Sequence, residues 1–89
     1  MIPQSFNPAR SIEVWWDAGD GTPRRLRWRG RIAYVAAVET SWRWDEGWWR
    51  GGEEVESRAY HRLVTRDGLR CVVYRDLGSG RWYLEAILD

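Results

Sequence analysis

Apolar and polar positions alternate with period two along most of this chain. Residues 11–16, SIEVWW, set Ile12, Val14 and Trp16 against Glu13 and Trp15, the pattern of a half-buried strand. From Leu26 to Val38 the even positions are Leu26, Trp28, Gly30, Ile32, Tyr34, Ala36 and Val38, an apolar file that never slips phase. A two-residue hairpin at Gly30 would reverse the parity of the inward face, so the file predicts one long strand bent at Gly30. At about 3.3 Å per residue, a straight run from Arg24 to Val38 would reach roughly 50 Å, too long for a small domain, so the strand must coil. Strong coiling around a small core is how small β-barrels are built.

The remaining segments read as follows. Residues 1–10 carry Pro3 and Pro8 and no period, which predicts an N-terminal arm, loosely held unless Phe6 docks. DAGDGTP at 17–23 is turn chemistry. Residues 40–57, with glycines at 47, 51 and 52, predict a long connection with room for a helical turn near 45–50. RAYHRLVT at 58–65 and RCVVYRD at 70–76 flank Asp67-Gly68, a pair suited to a type I′ hairpin turn. LGSGR at 77–81 turns the chain again. WYLEAIL at 82–88 closes the domain with Trp82, Leu84, Ala86 and Leu88 on one face. The predicted fold is all-β: five or six strands in a small antiparallel barrel or strongly coiled sheet, SH3-like or related, with one domain at 11–89 after the arm at 1–10.

Composition narrows the class. The 89 residues make one domain, and its single cysteine, Cys71, cannot form an internal disulfide. With no signal-like apolar run at the N-terminus, a cytoplasmic location is expected. No stretch approaches the roughly 20 apolar residues that span a bilayer, so no membrane partner is expected. Eight tryptophans stand beside fourteen basic residues, every one an arginine, a pairing suited to stacked recognition surfaces as well as to a core.

The net charge of +1 conceals segregation. RRLRWRGR at 24–31 has no acid, whereas residues 39–56 hold Glu39, Asp45, Glu46, Glu53, Glu54 and Glu56 against Arg43 and Arg50. With the even face buried, Arg25, Arg27, Arg29 and Arg31 would point outward about 6.7 Å apart, a spacing at which guanidiniums meet successive phosphates. The same row equally suits an edge-protecting face paired with the acids at 53–56. Neighbouring Trp48 and Trp49 cannot both face one core from an extended strand, so one ring is expected exposed for stacking or laid down as a lid.

Catalytic chemistry finds little support. His61 is the sole histidine, Cys71 lies in an apolar strand, and one of each cannot build a standard zinc site. Gly19-Asp20-Gly21 and Gly78-Ser79-Gly80 have no following helix and read as turns, not phosphate loops. No enzyme activity, cofactor or metal is expected.

The ordered set RLRWRGRIAYVAAV, WRW, WW, SRAYHRLVTRDG, VVYRD and WYLEAILD resembles an uncharacterised small bacterial domain family over roughly residues 11–89. It is also similar to the C-terminal tail of the inactive Y-family polymerase-like subunit of the bacterial mutasome. The matching positions are Trp28, Arg29, Arg31, Trp48, Trp49, Arg58, Tyr60, Arg62, Tyr74, Arg75, Asp76 and Trp82. The resemblance implies protein or DNA contacts in damage-tolerance synthesis. By parity Arg58, Tyr60 and Arg62 share one face, and internal Arg-Asp pairing would make such arginines structural. The expected function is a non-enzymatic binding module, monomer or homodimer, contacting DNA or RNA, or a repair complex, through Arg25, Arg27, Arg29, Arg31, Arg58, Arg62, Trp48 and Trp49. The alternative is a protein-interaction module with a Trp-rich apolar groove.

Overall fold

The structure, a computed structural model, describes residues 4–46 and 56–88. Six antiparallel strands, β1 (Gln4–Trp16), β2 (Pro23–Trp28), β3 (Arg31–Glu46), β4 (Glu56–Thr65), β5 (Arg70–Asp76) and β6 (Trp82–Ile87), follow one another around a closed ring of hydrogen bonds. Each strand pairs with its sequence neighbours, and β1 meets β6 to close the ring, from Gln4↔Ile87 to Ile12↔Trp82. The all-β class and the strand number match the sequence reading. Residues 4–10 form the first half of β1, and Phe6 does dock, edge to face on Trp28 at 5.9 Å.

The strand expected across Gly30 is instead a hairpin. Arg29 and Gly30 take φ of +53° and +74°, the two left-handed conformations of a type I′ turn, and Trp28 pairs with Arg31, Leu26 with Ala33 and Arg25 with Tyr34. Inward parity therefore switches from Leu26 and Trp28 to Ala33 and Val35. A bulge between Val35 and Ala37 shifts it again, bringing Val38 back to the core, and a second bulge follows between Val38 and Thr40. The even apolar file is thus split, and Ile32 and Tyr34 lie outside, 49% and 47% exposed.

Two other expectations change. Residues 40–46, assigned to a loop, continue β3 alongside β4, with Trp42 opposite Tyr60 and Trp44 opposite Arg58. The β4–β5 connection is not a type I′ turn centred on Asp67-Gly68. Gly68 N–H donates to Thr65 O, so Arg66 and Asp67, neither at positive φ, are the central residues of a type I turn; Gly68 (φ +91°) follows it in the left-handed region, and Thr65 N–H donates to Leu69 O.

The inner core holds Leu26, Leu63, Cys71, Val73, Trp82 and Leu84, with Ile12, Val14, Val35 and Val38 packed on it. A second apolar layer lies outside the β4–β6 sheet, built on Tyr60, Val72, Tyr74 and Ala86. Loops β1–β2 and β5–β6 repeat one design: Asp17 Oδ1 accepts from Gly19 N–H and Asp76 Oδ1 from Gly78 N–H, while Gly21 and Gly80, both at φ +76°, donate back to the aspartate carbonyls. These hydrogen bonds favour the carboxylate, so Asp17 titrates below its ordinary value, the backbone N–H of Gly19 contributing most.

Candidate nucleic-acid interface

Directly opposed residues of an antiparallel ladder share a face, so the β1–β2 and β2–β3 registers build the outer surface row by row. One row runs Trp15, Arg25, Tyr34 and the next Glu13, Arg27, Ile32. The Arg25 guanidinium lies 4.1 Å from the Trp15 ring centroid. Arg66, whose N–H donates to the Tyr34 carbonyl at 2.9 Å, holds its guanidinium 5.4 Å from the Tyr34 ring. Rings and cations therefore alternate across this face. Glu13, the carboxylate of these two rows, pairs with Arg27 at 3.4 Å between exposed side chains, a contact that solvent screens heavily.

The four arginines expected as one ladder do not share a face. Arg25 and Arg27 point outward. Arg31, opposite Trp28, sits on the inner side at the ring's end, and Arg29 occupies the turn with its guanidinium 4.5 Å from the Trp28 ring. The hairpin is the cause, because the reversal at Arg29-Gly30 turns odd β3 positions inward. Between this hairpin tip and the β4–β5 loop opens a cavity of about 740 Å³, lined by Leu26, Trp28, Arg29, Arg31, Ile32, Ala33, Asp67 and Leu69. Among the described residues neither Arg29 nor Arg31 has an ion pair.

Arg58 and Arg62 do share the outer face of β4, as parity predicted, but both are engaged within the domain. Arg62 Nε lies 3.5 Å from Glu39, which Arg70 also grips with two hydrogen bonds, and the Arg70 contact holds the Glu39 carboxyl below its ordinary range. Arg58 belongs to an aromatic row that sequence reasoning missed. Trp42, Tyr60, Tyr74 and Tyr83 stand opposite one another on β3, β4, β5 and β6, with successive centroids 5.2, 5.0 and 5.2 Å apart. The Arg58 guanidinium lies over Trp44 and Tyr74, and Nη1 donates to Tyr60 Oη. Trp48, Trp49, Glu53 and Glu54 lie outside the described residues.

A family model described as a domain of unknown function, DUF6504, matches residues 7–89. The chain belongs to the DUF6504 family. No curated protein and no solved structure matches it.

Inside the ring of this DUF6504 domain, the two residues weighed for chemistry are both buried. Burial raises the Cys71 thiol to about 12, far from a reactive thiolate. His61 stacks on Trp82 at 5.8 Å, and its Nδ1 is 2.8 Å from Ser41 Oγ. Among the described residues no cluster of His, Cys, Asp and Glu could hold a metal ion.

Burial lowers the His61 pKa, with Asp20 opposing weakly, so the folded state prefers the neutral ring. Its contribution is complete above the unfolded value of about 6.5 and is lost as pH falls toward the depressed folded value. The DUF6504 domain has one histidine, so melting temperature is expected to fall as pH drops below about 6.5, with this ring as the source. Thermal melts across that window check it: the fall should flatten in His61→Gln and persist if carboxylates are responsible.

Proposed function

We propose that the DUF6504 domain is a non-catalytic module that binds single-stranded nucleic acid across the outer face of β1, β2 and β3. The observation that carries this reading is the Trp15, Arg25, Tyr34, Arg66 row, in which rings able to stack on bases alternate with guanidiniums able to meet phosphates. Ile32 and Tyr34, each about half exposed, add apolar surface that water leaves cheaply. The similarity to the tail of the polymerase-like mutasome subunit supplies the setting, a repair complex working on exposed single strands.

Anisotropy of labelled single- and double-stranded DNA and RNA, at low and moderate salt, tests the proposal. Tyr34→Ala should cost about 1–3 kcal/mol of single-strand binding, the range for losing one stacked base. Arg25→Ala should lower the salt slope by about 0.7, the contribution of one phosphate contact on a single strand. Absence of binding at low salt, or variants that bind as tightly as the parent, would sink the reading.

A protein-interaction module is the second reading. It is favoured by Trp42, which lies flat on Tyr60 yet is 42% exposed and so offers an aromatic surface without a charge. Binding lost in Trp42→Ala but retained in Tyr34→Ala would select it.

A further inference from the structure

We infer that the cavity at the ring's end is a nucleotide pocket in which Arg29 and Arg31 hold the phosphate, Leu26, Trp28 and Ala33 receive the base, and Asp67 selects bases bearing an amino group. The inference takes its ligand class from the single-strand reading above and concerns the adjoining end of the ring, which shares Ile32 with that face.

Four observations support it. The volume of about 740 Å³ is within the usual range for small-molecule sites and exceeds what one nucleotide needs. Its walls combine apolar side chains with two arginines that are in no ion pair among the described residues, which suits a ligand with an anionic end and a flat apolar body. Asp67 is an acceptor: its Oδ1 accepts a hydrogen bond from the Thr65 hydroxyl, and Oδ2 remains to accept from an exocyclic amine. Finally, Arg29 is the one non-glycine residue at positive φ among the described residues. A type I′ turn prefers asparagine or glycine there, so arginine keeps a strained position where its guanidinium borders the cavity.

The test is amide NMR of the full chain titrated with AMP, CMP, GMP, UMP and inorganic phosphate. Shifts should centre on residues 29–33 and 67–69, with AMP, CMP and GMP binding more tightly than UMP. Arg29→Asn keeps the turn, since Asn-Gly suits it, and should weaken nucleotide binding about tenfold while the fold persists. Asp67→Asn should erase the preference against UMP. Shifts as large from inorganic phosphate alone, or from an acetylated leucine carboxylate, would overturn the nucleotide assignment, as would unaltered affinity in Arg29→Asn. An oligonucleotide separates this inference from the reading it builds on. Shifts restricted to Trp15, Arg25 and Tyr34 would keep the face and refute the pocket, whereas nucleotide shifts at the pocket with no oligonucleotide binding would do the reverse.

Discussion

Trp82→Ala should remove a large share of the stability of the domain. A buried tryptophan cut to alanine typically costs about 3–5 kcal/mol, whereas at about 0.05–0.15 kcal/mol per residue an 89-residue domain has about 4–13 kcal/mol in all. Trp82 sits at the worst place for such a cavity. It is 5% exposed, pairs with Ile12 across the β1–β6 seam and with Arg75 on β5, and receives the His61 ring on its face. Its loss empties the core beside the contact that closes the ring. Trp42→Ala is the control: it removes a ring that is 42% exposed and lies outside the core, where the stack on Tyr60 contributes about 0.5–1.5 kcal/mol beyond the area it buries, so the loss should be clearly smaller. Urea unfolding followed by far-ultraviolet circular dichroism measures both without relying on tryptophan emission. Equal losses in the two variants would mean that Trp82 is not the keystone of the closure.

The same contrast shows which parts of the fold can be read from the residues. β6 alternates strictly between buried and half-buried positions, and β4 and β5 flank a turn sequence, so local pattern and tertiary burial agree there. Between Leu26 and Val38 they disagree. Arg-Gly carries no strong turn signal, and the exposed Ile32 and Tyr34 imitate the continuation of a buried face. A hairpin and the bulge after Val35, each of which shifts parity, produced a file that looks unbroken. The single arginine ladder failed for the same reason, since its outward row depended on that parity.

The candidate site was legible in kind but not in arrangement. Arg25 and Arg27 were expected outside and are. The stacked pairs of this face come from strand registers and loop contacts that no local pattern reveals, Trp15 of β1 under Arg25 and Arg66 of the β4–β5 loop on Tyr34. The cavity beside Arg29 and Arg31 likewise depends on how close the hairpin tip lies to that loop. One clue was available: an arginine before glycine where asparagine would make the better turn suggests a side chain held for another purpose.

Arg58→Ala should cost about 2–3 kcal/mol in stability and leave single-strand affinity unchanged. The guanidinium lies 4.9 Å from the Trp44 ring and 4.6 Å from Tyr74, donates to Tyr60 Oη at 3.1 Å and contacts Glu56 at 3.4 Å. Tyr60 passes the chain on by donating to Glu85 at 3.4 Å. With the side chain 25% exposed, the Glu56 pair is partly screened and counts for little, so about 0.5–2 kcal/mol for each ring contact and the hydrogen bond carry the estimate. Arg58→Lys should recover little of it, because an ammonium cannot lie between two rings and donate to Tyr60 as a planar fork can. Urea unfolding and oligonucleotide anisotropy on the same preparations decide the matter. Affinity lost with stability intact would make Arg58 a ligand residue and move the interface to the aromatic row on β3–β6. Stability lost with affinity intact assigns that row, with Arg58 at its centre, to holding the outer layer of the sheet together, and leaves the β1–β3 face as the binding surface.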